Sequence, residues 1–172
     1  MTNNGNTNFN HTNSSIADGV YTLRAYCNDT LGNTNYSSSV SFQIDNTKPL
    51  ISYGTGTESN NSFKSQTNVY VNVSVTELNE GTITFLLYNS TSQVNSSSYT
   101  DLRRTINWTG LSAGVYYYNV SVNDSVGNSN STETRTITLD TTLPAISVVY
   151  PTNTSYAINV SALNYTASDT NL

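Results

Sequence analysis

The stretch DGVYTLRAYCNDTLGN, Asp18 to Asn33, returns as AGVYYYNVSVNDSVGN, Ala113 to Asn128, and the segments that follow the two copies return with them. Gly19 and Gly114, Asp29 and Asp124, Gly32 and Gly127, Asp45 and Asp140, Pro49 and Pro144 all keep one offset of 95 positions. A period that long, running through turns as well as apolar segments, is the period of a whole domain. The 172 residues therefore read as one complete unit, 46–140, with partial units at 1–45 and 141–172. Asn72 matches Asn164 at an offset of 92, so the last unit is shorter between its first two strands. Both outer parts cut across the unit, and the chain is expected to be a piece of a longer array that carries any signal or anchor elsewhere.

Apolar residues alternate with polar ones almost throughout and never hold the i, i+3, i+4, i+7 spacing of a helix, which predicts an all-β chain. In Val69 to Val75 the four valines share one face, with Tyr70, Asn72 and Ser74 on the other, because successive side chains of a strand point to opposite sides. Tyr116, Tyr118, Val120 and Val122 are read as inward in the same way, with Tyr117, Asn119, Ser121 and Asn123 outward. The earlier copy places Tyr21, Leu23, Ala25 and Cys27 inward. Seven strands are predicted in the complete unit: A at Leu50 to Tyr53, B at Asn68 to Thr76, C at Thr82 to Tyr88, D at Ser92 to Ser97, E at Leu102 to Trp108, F at Val115 to Asn123 and G at Ser131 to Asp140. Seven short strands in about 95 residues, with Gly-x-Tyr opening F, fit an immunoglobulin-like β-sandwich. The first partial unit supplies the end of E with F and G, the last supplies A and B, and Trp108 is expected to plug the end of the core. Pro49 and Pro144 stiffen the linkers, so the units should follow one another as beads on a rod.

The segments DNTKPLIS, DTTLPAISVVYPTNTSY and LNYTASDTNL, with DGVYTL and NDTLGN closing each unit, resemble the immunoglobulin-like tandem repeats of large archaeal and bacterial cell-surface proteins. The resemblance covers about Ile16 to Leu172. It implies an extracellular stalk, spacer or adhesive module without chemistry of its own, and neighbouring repeats as its partners.

Charged residues are only 10% of the chain, whereas Asn, Ser and Thr make up almost half, so solubility rests on amides and hydroxyls or on something attached to them. A net charge of −5 with six basic residues argues against nucleic acid as a partner, since phosphate binding requires clustered Lys and Arg. No apolar run approaches the roughly 20 residues of a membrane-crossing helix. Cys27 is the sole cysteine and its counterpart is Val122, which reads as a small core residue rather than a redox group. The acceptor pattern Asn-x-Ser/Thr occurs fifteen times, against roughly eight expected from composition. Candidate glycosylation sites are Asn28, Asn35, Asn72, Asn89, Asn95, Asn107, Asn119, Asn123, Asn130, Asn153, Asn159 and Asn164, with further matches at Asn10, Asn13 and Asn60. A polar outer strand face manufactures part of this excess by placing polar residues at i and i+2.

Tyr26, Tyr70 and Tyr117 are expected on outer faces, where they shield the sheet or stack on sugars and neighbouring proteins. Asp29, Asp45, Glu77, Asp124 and Asp140 lie near the predicted turns and linkers, where calcium could draw oxygens from two units, although no segment has the dense spacing of a calcium loop. Catalysis has little to work with: one histidine, His11, no nucleophile elbow, and an unpaired Asp101 and Glu133. Lys48 is matched by Leu143, so a lysine crosslink is no feature of the repeat. The favoured reading is a structural segment of a glycosylated surface protein. The alternative is a carbohydrate-binding or adhesion module, and head-to-tail pairing of copies through the partial units is a variant of the first.

Overall fold

The computed structural model describes residues 11–171 together with the backbone of residues 2, 3, 9 and 10. Every regular element among them is a strand. The backbone pair β1 (Thr2–Asn3) and β2 (Phe9–Asn10) opens the chain. The first unit holds β3 (Gly19–Leu23), β4 (Tyr26–Asn28), β5 (Thr34–Tyr36) and β6 (Val40–Ile44). In the central unit follow β7 (Leu50–Tyr53), β8 (Ser62–Lys64), β9 (Val69–Thr76), β10 (Glu80–Asn89), β11 (Gln93–Tyr99), β12 (Thr105–Trp108), β13 (Gly114–Asp124), β14 (Ser129–Ser131) and β15 (Arg135–Leu139). The last unit has β16 (Ala145–Tyr150) and β17 (Asn164–Ser168).

The central unit is an immunoglobulin-like sandwich. One sheet runs β11-β10-β13-β15-β8, with β14 also on β13, and the other runs β12-β9-β7. The alternation read from sequence decides which side chains meet between them: Val69, Val71 and Val73 from β9 face Ile83, Phe85 and Leu87 from β10 and Tyr118, Val120 and Val122 from β13, all buried. Trp108 closes one end. Its ring is buried and its indole Nε1 donates to Asn95 Oδ1 at 3.1 Å, linking β12 to β11 across the open edge of the sandwich.

Tyr116 carries a second fold marker, because its hydroxyl donates to the Ser112 carbonyl at 3.0 Å, four residues upstream. This tyrosine corner fixes the loop that enters the central strand. It recurs 95 residues earlier, where the Tyr21 hydroxyl donates to the Ala17 carbonyl at 2.8 Å.

Two predicted features need correction. The strand expected at Ser92 to Ser97 forms, but as a neighbour of β10, with Ile83 opposite Tyr99, rather than beside β12 as a seven-strand D position implies. Asn89 forces this: its Oδ1 accepts from the Thr91 and Ser92 amides, and a tight turn of that kind folds β11 back on β10. Cys27 is exposed and not a core residue, because among the described residues no second sheet covers its face of the first unit. β8, parallel to β15, was absent from the prediction. Its one apolar side chain, Phe63, points to solvent, so it offers no apolar face to bury, and it is held by the Asn60 Oδ1 and Asn61 amide contacts to Thr136.

The strand pairs of the outer units repeat those of the central one. Pairs Gly19↔Ile44, Tyr21↔Phe42 and Leu23↔Val40 reproduce Gly114↔Leu139, Tyr116↔Ile137 and Tyr118↔Arg135. The amide of Ala25 donates to Ser37 Oγ as that of Val120 does to Thr132 Oγ1, both at 3.0 Å. At the other end Ala145↔Ser168 and Ile146↔Ala167 reproduce Leu50↔Thr76 and Ile51↔Val75.

Candidate interaction surfaces

The junction between the first and central units is built from three short segments. Asp45 ends the strand region of the first unit, Glu77 to Asn79 link β9 to β10, and Asp124 to Asn128 turn β13 into β14. Gly127 adopts φ +103° in that turn, a backbone that a side chain would strain. Asp124 Oδ1 accepts from the amides of Val126, Gly127 and Asn128, while its Oδ2 accepts from Asn128 Nδ2 at 2.7 Å. Burial pushes the Asp124 carboxyl up, but these four donors together hold it below its ordinary value.

The same turn reaches across the linker. Asn128 Nδ2 donates to the Asp45 carbonyl at 3.0 Å, Asn130 Nδ2 to the carbonyl of the fully buried Pro49 at 2.9 Å, and Asn79 Nδ2 to Asp45 Oδ2 at 2.8 Å. From the first unit, Asp18 accepts from the Asn46 amide and from Thr47 Oγ1, the latter at 2.6 Å. Hydrogen bonds from Thr47 and then Asn46 lower its pKa.

This junction is a property of the repeat. Asn171 Nδ2 donates to Asp140 Oδ2 as Asn79 does to Asp45, and the Asn171 amide donates to Asp169 Oδ1 as the Asn79 amide does to Glu77 Oε1. The Thr142 and Thr47 amides close matching bonds to Asp140 and Asp45. Sequence reading placed the prolines and acids here but missed the asparagines two positions past Glu77 and Asp169, which do the bridging. The 92-residue offset between the second strands was the signal that pairs Asn79 with Asn171.

Of the five acids considered for calcium, the structure gathers Asp45, Glu77 and Asp124, with one carboxylate oxygen of each within 4.8 Å of the others. Asp29 and Asp140 are not in that group. The three carboxylates already accept from Thr47, Asn79, Val126, Gly127 and Asn128. They are the residues that would hold a hard cation, with amide donors balancing them otherwise.

The acceptor asparagines divide by what their amide nitrogen does. Asn72 Nδ2 donates to the Thr55 carbonyl, Asn119 Nδ2 to Thr134 Oγ1 and Asn130 Nδ2 to the Pro49 carbonyl. Asn95 is half-buried and takes the Trp108 indole, and Asn89 caps its turn. Asn28, Asn35, Asn107, Asn123, Asn153, Asn159 and Asn164 are exposed. Asn10 lies where only backbone is described.

Tyr70 and Tyr117 are half-buried, whereas Tyr26 is exposed. Tyr26 stands beside an equally exposed Tyr36, ring centroids 6.0 Å apart, and the Arg24 guanidinium carbon lies 5.0 Å from the Tyr36 centroid. His11 is exposed, and Asp101 and Glu133 each pair with a local arginine, Arg103 and Arg135, not with one another. Lys48 is exposed on the wall of a groove of about 450 Å³ between the first and central units, together with Val20, Ile44, Leu50 and Leu78. No described helix is long and apolar enough to cross a membrane.

No family model matches the chain, and no curated protein matches it. Among solved structures it is similar to fibronectin(III)-like modules of Clostridium thermocellum CbhA, at 15% identity and TM-score 0.42 over 55% of this chain and 99% of theirs. An engineered protein shows 14% identity and TM-score 0.42, over 54% of this chain and 20% of its own. Dimeric latent PorU from Porphyromonas gingivalis shows 15% and 0.40, over 73% of this chain and 12% of PorU.

Proposed function

We propose that the chain is a non-catalytic structural segment of an extracellular surface protein, in which serial immunoglobulin-like units give reach and exposed asparagines carry glycans. The observation that carries this reading is the junction, because the same Asp–Asn contact ties unit one to unit two and recurs at Asp140 and Asn171. A spacer needs each unit held at a set angle to the next. A buried proline with side-chain amides spanning the linker supplies that constraint, where a flexible linker would be rich in Gly and Ser. Neighbouring repeats are therefore the first partners.

Cys27, the sole and exposed thiol, makes a direct test available. Spin labels on Cys27 and on a cysteine placed at the exposed Ser90 are expected to give a narrow distance distribution, broadened by Asp45→Ala with Asn79→Ala. A distribution already broad in the parent chain sinks the spacer reading. Calcium added to the same samples, followed by melting temperature, reports whether the Asp45, Glu77 and Asp124 group takes an ion.

The exposed Tyr26–Tyr36 pair favours a second reading, an adhesive or sugar-binding module. Saturable binding on a glycan array that disappears with Tyr26→Ala is its expected outcome, and indifference to that change leaves the spacer reading alone.

A further inference from the structure

The repeat supplies its own control for what the fold requires, because positions 95 apart share strand, face and register. Arg24, Tyr26, Tyr36 and Ser39 of the first unit correspond to Asn119, Ser121, Ser131 and Thr134 of the central one. Tyr26 opposes Tyr36 as Ser121 opposes Ser131. Arg24 donates to Ser39 Oγ from Nε at 3.2 Å and from Nη2 at 2.8 Å, where Asn119 Nδ2 donates to Thr134 Oγ1 at 3.1 Å. An amide on a hydroxyl, with a pair of serines beside it, therefore satisfies the sheet at these positions. The first unit carries a guanidinium and two phenol rings instead, which the fold does not call for.

These side chains lie on the outer face, turned away from the opposing sheet: Ala25 and Cys27 alternate inward, as Val120 and Val122 do. That outer face stays open in the complete sandwich, where Ser131 is exposed and Ser121 is half-buried with β10 alongside. Tyr26 and Tyr36 are 64% and 61% exposed, with their planes inclined by 49°. Of the six basic side chains, Lys64, Arg103, Arg104 and Arg135 each hold a carboxylate, and Arg24 has none among the described residues. Ser39 and the Tyr36 ring already fix its guanidinium, so little freedom is lost when an anion meets the remaining N–H groups.

We propose that this outer face binds an anionic sugar: a pyranose packs its C–H face on Tyr26 and Tyr36 while its carboxylate or sulfate takes the free edge of Arg24. This rests on the sugar-binding reading of Tyr26 and names the class of sugar. A sugar is favoured over an acidic peptide because most of the surface offered is flat, uncharged ring, with a single cation at its side. The chain as a whole carries −5, so a polyanion finds no general attraction and is recognised locally.

Isothermal titration calorimetry on the full chain tests this with an oligogalacturonate, a sulfated galactan oligomer and a neutral galactan oligomer of matched length. The chain is made in a host that does not glycosylate, because Asn28 follows Tyr26 on the same face of β4. At least one charged oligomer is expected to bind about tenfold more tightly than the neutral one, and which of them does so assigns carboxylate or sulfate. Arg24→Gln keeps an amide toward Ser39, as Asn119 does toward Thr134, and is expected to bring the charged oligomer down to the neutral level. Tyr26→Ser with Tyr36→Ser restores the central unit's own residues and is expected to abolish binding of charged and neutral oligomers alike. The same sheet already accommodates these residue types, so loss of binding is not loss of fold. A charge preference that is absent from the parent chain, or that survives Arg24→Gln, overturns the proposal; neutral binding lost only with the tyrosines then leaves the sugar-binding reading intact. A glutamate oligopeptide that binds as tightly as the charged sugars overturns the sugar class. Absence of binding by every oligomer at about 10 mM overturns the proposal and the sugar-binding reading together.

Discussion

At the scale of single residues, the chain economises on charge and relies on carboxylates held by amide donors. Asp18, Asp29, Asp124 and Asp140 all sit below the ordinary carboxylate range: hydrogen bonds from Thr47 and Asn46 act on Asp18, from Asn33 on Asp29 and from Thr142 and Asn171 on Asp140, while at Asp124 the turn donors outweigh burial. Between those lowered values and the unfolded value of about 3.9, the folded chain binds fewer protons than the unfolded one. Stability therefore rises with pH across that window, is fully present above it, and is lost as pH falls through the folded values. The melting temperature is expected to be flat from neutral pH down to about pH 4 and to fall below that. Asp124→Asn sets an amide against the Asn128 amide, so it lowers the melting temperature at neutral pH and makes the acid limb shallower. An acid limb unchanged in that variant would show that the turn carboxylate is not what acid attacks. At the alkaline end the Tyr53 hydroxyl, pushed up to about 12 chiefly by burial, contributes stability that is lost as pH rises from about 10.

Among elements, most of the sandwich follows from alternation, and the departures have local causes. β7 matches its expected bounds, and β9, β10 and β13 differ from theirs by one or two residues at an end, because alternating apolar side chains leave one face to bury. The placement of β11 was not legible, since a strand's face pattern says which side is apolar and not which neighbour it takes; the Asn89 turn decides that. Gly81 shows the same limit. The register of β10 against β13 slips between Glu80 and Thr82, and a Cβ at Gly81 would meet the Asp124 carbonyl oxygen at 2.7 Å, a close approach visible only after the strands are paired.

An ion pair between the sheets was equally invisible. Arg104, just before β12, holds Glu80 of β10 through bonds of 2.8 and 2.6 Å, and the Glu80 side chain is 5% exposed. Arg104→Met leaves that carboxylate buried and unpaired, and is expected to destabilise the central unit by about 3–5 kcal/mol. Replacing both residues, Arg104→Met with Glu80→Leu, should recover most of the loss, because desolvating the pair offsets much of its attraction. Denaturant titration of the three chains decides it: a double variant no better than the single one would mean that Arg104 acts through packing rather than charge.

Over the whole molecule, the repeat explains why the three units share a hydrogen-bond pattern and differ in burial, and this difference governs where glycans can go. Charged residues make up only 10% of the chain, so attached sugars would be a large part of its hydration. Attachment consumes one N–H of the asparagine amide and needs free space along it. Asn72 fails on space, because one N–H of its Nδ2 is held on Thr55 and a Cβ added at Gly54 would already be 2.9 Å from that nitrogen. Asn119 and Asn130 each have one N–H held, on Thr134 and on Pro49 at the junction, which fixes the amide against the surface. Asn28 of β4 and Asn164 of β17 are instead exposed. Asn123 and Asn153 are exposed as well. Peptide mapping by mass spectrometry of chain made in a glycosylating host is expected to find sugar on Asn28, Asn123, Asn153 and Asn164, and none on Asn72, Asn119 or Asn130. Full occupancy of Asn130 would mean that its hold on Pro49 does not fix the amide against attachment, and that the junction rests chiefly on Asn79, Asn128 and the Asp18 contacts.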